Sequence, residues 1–496
     1  MADNQNGNGK PTKGAGAGNN PYTIDLNVFS QRLKALYSHW NEHPELWDSC
    51  EVIAIATPPQ SDEIGYLKSS ALQMWMVGYD VPDMIMVFMK KHIHFLGSQK
   101  KVSFFQGVKK AAKEVVGVDL VTHVKAKSDD GSALMDAVLG VIRAQPRADG
   151  HDIVVVGRIA REEPEGNLLK LWFEKLKSAT VHLGDVTNGL SDLFVVKEKE
   201  ELGDIKKAAY LSSVVMQKMV TKLENVIDDE KKVTHSSLMD ETEKLILEPS
   251  KVGLELNPQN VDICYPPIFQ SGGKFDLRPG VASNDECLYY DRASVIICAI
   301  GSRYHNYCSN AARTFLIDAN SIQSKAYDVL LKAHVAAIKK DAPELLPNLT
   351  KSTGTSIGIE FRESGLNLNG KNDRVLKADM VFNVSLGFHN LQSDISNSKQ
   401  QNFSLLLADT VVVNDDKPEV LTAKVSKAVK DVAYSFNEVE EKPVKGKGLA
   451  NGTEALISKT NLRSDNSEKS KDGKRDERDE RADNERDERE SGQRRG

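Results

Sequence analysis

The chain of 496 residues carries 65 Lys and Arg against 71 Asp and Glu, a formal net charge of −6. Its length allows several domains, and 40 % hydrophobic and 27 % charged residues are ordinary for a soluble protein. No apolar run reaches the length of a membrane span, and the slightly acidic balance disfavours broad nucleic-acid binding through phosphate contacts. Five cysteines without a Cys-x-x-Cys pair predict a reducing compartment and give no zinc signature.

The first part of the chain predicts an α/β lobe at residues 21–187. Residues 1–20 precede it, rich in Gly, Asn and Lys without an apolar region, so we expect disorder and no secretory signal there. Apolar residues from Phe29 to Trp40 recur at helical spacing, with Asn27 as the predicted N-cap. Short apolar runs predict buried strands at Val52–Ala56, Met84–Met89 and Ile153–Val156.

Two histidines follow the second of these strands. His92 to Leu96 comes directly after Lys90 and Lys91, which predicts a hairpin with Met84–Met89. His92 and His94 would share one face of the strand, the spacing of a metal-binding pair. The alternative is two partly exposed strand histidines, which we favour because no carboxylate or cysteine joins them.

The residue pattern of the sequence changes near Asn188–Asp192. We therefore predict a second lobe at residues 188–440. A long amphipathic helix begins near Glu200. Ser271, Gly272 and Gly273 could form a phosphate cradle, but no Gly-Lys-Ser/Thr follows them, so a turn is favoured. Strands are predicted at Ser294–Ile300, Ala311–Ile317, Met380–Val384 and Phe403–Val413.

The end of the chain, residues 441–496, is predicted to be a disordered charged tail. From Asp472 to Glu490, 16 of 19 residues are charged, six basic and ten acidic. Such a segment buries too little apolar surface to offset the entropy lost on ordering. A transient solvated helix and an interaction tail remain alternatives.

Four motifs carry a resemblance to a known family. Gly301, Tyr304, Tyr307, Ser309, Arg313 and Thr314 fit the pattern D-x-G-x-x-Y-x-x-Y-x-S-D-x-x-R-T. Three segments then follow in order: Thr353–Glu363 is similar to G-H-G-I-G-x-x-x-H-E, Met380–Gly387 to T-I-E-P-G, and Leu407–Val411 to E-D-T-V. This arrangement resembles the creatinase/aminopeptidase P family. The resemblance implies that residues 188–440 form an α+β pita-bread lobe.

The enzymes of that family hold two divalent cations with two Asp, one His and two Glu. The corresponding positions here are Ala299, Asn310, Thr355, Ser385 and Ala408. Arg362 replaces a further, substrate-side His. Because neutral groups replace all four carboxylates, the resemblance implies no metal, no other cofactor and no two-metal hydrolysis, so we expect a protein that is not an enzyme.

A pita-bread lobe that lacks the metal-binding side chains is similar to that of the large subunits of the FACT histone chaperone. Runs such as Val261–Leu277, Gly358–Asn367 and Asp431–Phe436 look like plant members of that family, and the resemblance covers about residues 21–465. It implies a non-catalytic nuclear protein of the chromosome that acts on nucleosomes in transcription, replication and repair. Its partners would be core histones, nucleosomes and the smaller, HMG-box-type FACT subunit, with no membrane.

Two departures from that family are expected to matter. The family has additional residues between Lys340 and Asp341, including part of a helix, so the helix at Ser324–Lys339 is expected to lose a companion. Family members also continue into the domain that docks the smaller subunit, so we expect a shortened relative in which that docking is lost.

Carboxylates beside the five altered ligand positions would attract cationic histone tails. Glu360 and Glu363 are therefore candidate peptide or histone contacts, and Arg362 is a candidate to donate hydrogen bonds to a peptide carbonyl or carboxylate. The alternative is that the three residues form ordinary ion pairs at a sheet edge. Three functions stay open: a peptide-binding chromatin module, a structural remnant without activity, and a metallo-aminopeptidase, which the ligand positions contradict.

Overall fold

The computed structural model describes residues 23–61, 65–147, 152–278, 280–332, 338, 342–363 and 365–436. The N-terminus, the charged tail and the junction of Lys340 with Asp341 lie outside the described residues. None of the helices in the described part of the chain is long and apolar enough to cross a bilayer.

The first lobe is built on a sheet that mixes parallel and antiparallel pairs. Its strands, in the spatial order β4-β3-β2-β1-β5-β6, are β1 Val52–Thr57, β2 Met84–Met89, β3 His92–Ser98, β4 Asp119–Lys125, β5 Val155–Arg158 and β6 His182–Asp185. The helices are α1 Leu26–Glu42, α2 Lys68–Val77, α3 Gln99–Phe104, α4 Lys109–Val116, α5 Ser132–Arg143, α6 Gly166–Ser178 and α7 Thr187–Val195. Every residue of β2 is buried, because helices cover both faces of this sheet.

The second lobe begins with two helices, α8 Lys199–Asp228 and α9 His235–Leu247. Its main sheet runs in the order β13-β14-β15-β12-β9-β8, from β8 Ile268–Gln270, β9 Ser294–Ile300, β12 Ala311–Ile317, β13 Gly354–Ser356, β14 Val381–Gln392 and β15 Asn402–Val412. Two short strands, β16 Glu419–Val420 and β17 Ala433–Tyr434, pair with β15 and β12. A smaller sheet holds β7 Val261–Ile263, β10 Ser302–Tyr304 and β11 Tyr307–Cys308. Further α-helices with described bounds are α10 Ser321–Leu331, α11 Ser398–Gln401 and α12 Val429–Val432.

The predicted fold class, an α/β lobe followed by an α+β pita-bread lobe, is confirmed for the described residues. The strands predicted at Met84–Met89, Ser294–Ile300 and Ala311–Ile317 have those bounds, and Gly272 and Gly273 lie in a turn. The long helix near Glu200 is α8.

Some local predictions were wrong. Asp25, not Asn27, caps α1, because its carboxylate accepts hydrogen bonds from the amides of Asn27 (2.9 Å) and Val28 (3.2 Å). The strand predicted from Ile153 begins at Val155. The helix predicted from Ser324 begins at Ser321, where Asn320 caps it, and most of its second half lies outside the described residues.

Candidate functional site

The register of the main sheet brings three of the altered ligand positions into one row. Ala299 on β9 lies opposite Ala312 on β12, Ala312 lies opposite Ala408 on β15, and Ala408 lies opposite Ser385 on β14. Directly opposed residues of antiparallel strands point to the same face. The row is therefore a strip of small side chains across four strands, with no carboxylate in it.

The other two positions join this row through Asn383. Thr355 on β13 pairs with Asn383, which precedes Ser385 by two residues and so shares its face of β14. The side-chain amide of Asn310 donates to the Asn383 side-chain oxygen at 3.0 Å, and its own oxygen accepts the hydroxyl proton of Tyr265. All five positions thus converge on one patch of the sheet, as the resemblance implies.

The residues at these positions do not fit a pair of divalent cations. Ala299 and Ala408 carry no donor atom, and Asn310, Thr355 and Ser385 offer only neutral oxygens where hard cations need carboxylates. Both polar ends of Asn310 are already hydrogen-bonded within the protein. Across the described ranges, no group of three or more His, Cys, Asp or Glu side chains is arranged to hold a metal ion.

One buried polar atom of the patch is left without a partner. The hydroxyl of Thr355 is buried and makes no hydrogen bond within the part of the chain that the structure describes. Ser385 is half-buried. The unpaired Thr355 hydroxyl carries a free-energy cost in the buried state, and Ser385 is the more accessible hydroxyl of the patch.

The two candidate glutamates are buried and paired with lysines. Glu360 forms an ion pair with Lys68, and Glu363 forms one with Lys197 at 2.8 Å in which both side chains are 1 % exposed. The Ser356 hydroxyl donates to the second Glu363 oxygen at 2.8 Å. Burial raises the pKa of Glu360, and Lys68 only partly offsets that effect. These contacts favour the alternative of structural ion pairs for both glutamates.

Arg362 differs from its neighbours because it is exposed. Its side chain forms no hydrogen bond or ion pair with any described residue. Arg362 lies between Glu360 and Glu363, whose ion pairs anchor the segment on both sides of it. Of the three candidates, it is the one whose charge is free for a ligand.

Three residues of the first motif are buried. Tyr304 and Tyr307 are 7 % and 6 % exposed, and Arg313 is fully buried. Arg313 pairs with Asp409 at 2.7 Å and donates to the carbonyl of Ala408 at 2.8 Å, so it fixes the strand that carries a former ligand position. The Tyr307 hydroxyl donates to Glu201 on α8 at 2.6 Å.

Sequence reasoning missed the partners of this site. Lys68 and Lys197 lie 292 and 166 residues from the glutamates that they contact, so no local pattern could pair them. Tyr265 lies inside the Val261–Leu277 run, but nothing in that run indicates its bond to Asn310.

The histidines of β3 belong to a different arrangement, in the α/β lobe. His94 is 5 % exposed, and its Nδ1 lies 2.9 Å from Nε2 of His123 on β4, with the two rings stacked. His94 Nε2 is buried without a hydrogen-bond partner in the described chain. Burial lowers the pKa of His94 to about 4, and His123 and His92 add to the effect. The prediction of two partly exposed histidines is therefore wrong for His94, which is buried against His123 because the neighbouring strand β4 covers it.

Two family models match the chain. "FACT complex subunit SPT16 N-terminal lobe domain" matches residues 24–189, and "Metallopeptidase family M24" matches residues 203–346. The FACT complex subunit SPT16 of Arabidopsis thaliana is 57 % identical over 498 residues, which cover 95 % of this chain and 46 % of the relative. The chain thus spans about half the length of that curated relative.

Solved structures agree with these matches. The N-terminal domain of FACT complex subunit SPT16 from Cicer arietinum (chickpea) is 58 % identical, with a TM-score of 0.80 over 83 % of this chain and 100 % of that one. A prolidase from Pyrococcus furiosus, 17 % identical, has a TM-score of 0.52 over 77 % of this chain and 98 % of its own, and shows the fold alone. The chain therefore belongs to the SPT16 family of FACT complex subunits.

Proposed function

We propose that this chain is a non-catalytic module of a FACT-type histone chaperone, which works on nucleosomes in the nucleus during transcription, replication and repair. The observation that carries the proposal is the convergence of five former ligand positions into a patch without one carboxylate. Family membership supports the chromatin role. The altered patch supports a site that binds a peptide without cutting it.

The proposed site is the segment Glu360–Glu363 together with the patch beside it. Arg362 supplies the free charge, and pairs with a carbonyl or a carboxylate of the peptide. Glu360 and Glu363 contribute indirectly, because their ion pairs with Lys68 and Lys197 hold that segment in place. The free hydroxyl of Thr355 and the half-buried Ser385 provide neutral groups for the peptide backbone.

The proposed partners are core histones and nucleosomes, with the smaller FACT subunit as a further candidate. A pull-down of core histones and of that subunit by the purified chain tests both. We expect the chain to retain core histones in moderate salt. Failure to retain any histone would instead favour the structural remnant.

The role of Arg362 is tested by Arg362→Ala in the same assay, with Arg292→Ala as the matched control. Arg292 is also a largely exposed arginine of this lobe, 64 % exposed, in a loose 3.5 Å pair with Asp318. We expect the first variant to weaken histone retention and the control to leave it unchanged. Equal retention by both variants would remove Arg362 from the site.

A further inference from the structure

The two candidate carboxylates beside the altered ligand positions are not free to attract a basic histone tail, since Glu360 and Glu363 are paired with lysines. A second group of carboxylates lies beside an apolar cleft in the α/β lobe. This cleft is separate from the five former ligand positions, and none of the sequence motifs includes it.

The cleft opens where the parallel strands β1 and β5 end and α6 crosses over them. Its apolar walls are formed by Ala54, Ala56, Leu67, Leu169, Trp172 and Leu176. The carboxyl ends of parallel strands are where open α/β sheets most often bind ligands. With a cavity volume of about 70 Å³, the cleft has room for one aliphatic side chain and not for a nucleotide.

The rim of the cleft is acidic. Its lining carries Glu162, Glu163 and Glu165 and one arginine, Arg158, while the Lys177 ammonium lies 4.3 Å from the centre of the Phe173 ring, which also lines the cleft. Arg158 is engaged within the protein, because its guanidinium lies 4.6 Å from the centre of the Phe173 ring and donates to the Ile159 carbonyl at 3.3 Å.

The three glutamates differ in their freedom to bind a ligand. Glu162 accepts a hydrogen bond from the Ser69 amide at 3.1 Å, at the start of α2, so it has a structural partner. Glu163 and Glu165 are exposed and form no ion pair or hydrogen bond with any described residue. Two free carboxylates therefore flank an apolar recess that is open to solvent.

We propose that this cleft binds a basic peptide segment, with one aliphatic side chain in the recess and flanking Lys or Arg side chains on Glu163 and Glu165. The acidic rim matches a cationic peptide and repels an acidic peptide or a nucleic-acid phosphate. Identification of the peptide as a histone tail rests on the proposed function. The cleft then supplies the acidic contact that the pita-bread site does not offer.

Binding is measured by fluorescence anisotropy of a labelled synthetic peptide, acetyl-Gly-Lys-Gly-Leu-Gly-Lys-Gly-amide, with the full chain at low salt. We expect saturable binding, weakened about three- to tenfold by Glu163→Gln/Glu165→Gln, because exposed ion pairs contribute modestly and are screened by salt. The control is Glu200→Gln/Glu255→Gln, which removes two exposed glutamates of the second lobe. A peptide with Ser in place of Leu should bind more weakly than the Leu peptide.

The position of the peptide is tested with photo-leucine in place of Leu. Crosslinks should map to β1, β5 or α6, or to the loop residues that line the cleft with them, Leu67, Ile159 and Pro164. Crosslinks confined to other elements, equal affinity of the Leu and Ser peptides, or unchanged binding by the Glu163→Gln/Glu165→Gln variant would each overturn the proposal.

The two proposals fail separately. If histones are retained and Arg362→Ala weakens retention while the cleft variants change nothing, the cleft proposal falls and the proposed function stands. If the peptide crosslinks into the cleft but histones are not retained, the proposed function falls and the cleft stays a basic-peptide site.

Discussion

At the scale of single residues, burial decides what a charged side chain can do. Glu360, Arg362 and Glu363 are neighbours in the sequence, and all three are candidates for contact with a peptide. In the structure, the side chain of the arginine faces solvent while both glutamates are buried against lysines of other segments. Sequence spacing therefore identifies the segment, but it cannot distinguish a residue that anchors the segment from a residue that contacts a peptide.

The first prediction concerns catalysis at the former ligand positions. Two-metal hydrolysis needs cations that lower the pKa of a bound water to about 7, and the neutral side chains here do not supply the charge that holds them. We expect no turnover of Xaa-Pro or Met-initiated peptides with Mn²⁺, Co²⁺ or Zn²⁺, and no stoichiometric binding of two metal ions by calorimetry. Single restorations such as Ala408→Glu should stay inactive, because each returns one ligand of five. Turnover that a chelator abolishes would contradict the prediction.

The second prediction concerns the buried pair of Lys197 and Glu363. Lys197→Met leaves the Glu363 carboxylate buried with the Ser356 hydroxyl as its remaining partner. Loss of one member of a buried pair costs about 3–5 kcal/mol, so we expect a decrease of that size in the free energy of unfolding. Urea denaturation measures it.

The matched control for this variant is Lys206→Met, which breaks the exposed pair with Glu419, 49 % and 46 % exposed. It should change the stability by less than about 1 kcal/mol. The double variant Lys197→Met/Glu363→Leu should recover part of the loss, because the Glu363 charge is then removed while the buried Glu201 still lacks the attraction of Lys197. Equal effects of the two lysine variants would contradict the buried-pair argument.

The third prediction concerns pH and His94. Its pKa is about 4 in the folded chain, below the usual 6.5, because burial penalises the charged ring. Between these two values the unfolded chain binds more protons than the folded chain, so stability falls as the pH decreases from about 6.5 towards 4. His94→Gln should reduce this fall by up to about 1.4 kcal/mol per pH unit, the limit for a single group.

The measurement is the urea midpoint between pH 7 and pH 4.5, with His182→Gln as the control. His182 is exposed, so that variant should keep the pH dependence of the parent chain. Burial also lowers the pKa values of His235 and His389, and their contribution persists in both variants. Identical pH profiles for the two variants would exclude His94 as a source of the dependence.

At the scale of secondary-structure elements, strongly patterned segments could be predicted and weakly patterned ones could not. β9 is apolar after its first residue, β12 is apolar except for Arg313 and Thr314, and both strands have the bounds that the sequence predicts. α7 is different, because Asn188, Gly189 and Ser191 are poor helix formers and their sequence suggests a boundary. Packing overrides that propensity, since Gly189 lies directly against the buried indole of Trp47. The altered ligand positions were found through motif order, while their partners depend on long-range contacts that motifs do not encode.

The fourth prediction follows from this packing. A Cβ at Gly189 would lie 2.3 Å from Cδ2 of Trp47, so Gly189→Ala forces the indole and α7 apart. We expect a loss of about 1–3 kcal/mol, the usual cost of overpacking. Gly203→Ala is the matched control within α8, where a Cβ meets nothing within 4 Å. That change should stabilise the chain by about 0.5–1 kcal/mol, because alanine is the better helix former. Effects of the same sign in thermal melts would contradict this account.

At the scale of the whole molecule, polar and apolar contacts join the two lobes. The Lys68–Glu360 pair connects α2 of the first lobe to the segment after β13 of the second, and the Lys197–Glu363 pair holds that same segment from within the second lobe. The Tyr66 hydroxyl donates to the Cys264 carbonyl at 2.7 Å. One hydrophobic cluster also runs from α1 through α8 into the main sheet of the second lobe. Neither lobe buries its apolar surface by itself, so their stabilities should be linked.

The last prediction is that the lobes unfold together. All four tryptophans, Trp40, Trp47, Trp75 and Trp172, belong to the first lobe, so their fluorescence reports its unfolding. Cys287 in the second lobe is exposed while the other four cysteines are buried, so a thiol-reactive fluorophore can report the second lobe. We expect both probes to give one coincident urea transition, the signature of cooperative unfolding.

The linkage is tested most directly by Lys68→Met, which alters the first lobe and leaves Glu360 of the second lobe buried without its cation. If the lobes are one cooperative unit, the variant should lower the midpoint reported by Trp fluorescence and by the Cys287 label equally. Lys113→Met, which breaks an exposed pair with Asp119 in the first lobe, should move neither midpoint appreciably. A shift confined to the Trp signal would mean that the lobes unfold independently and that the buried pair between them contributes little to their association.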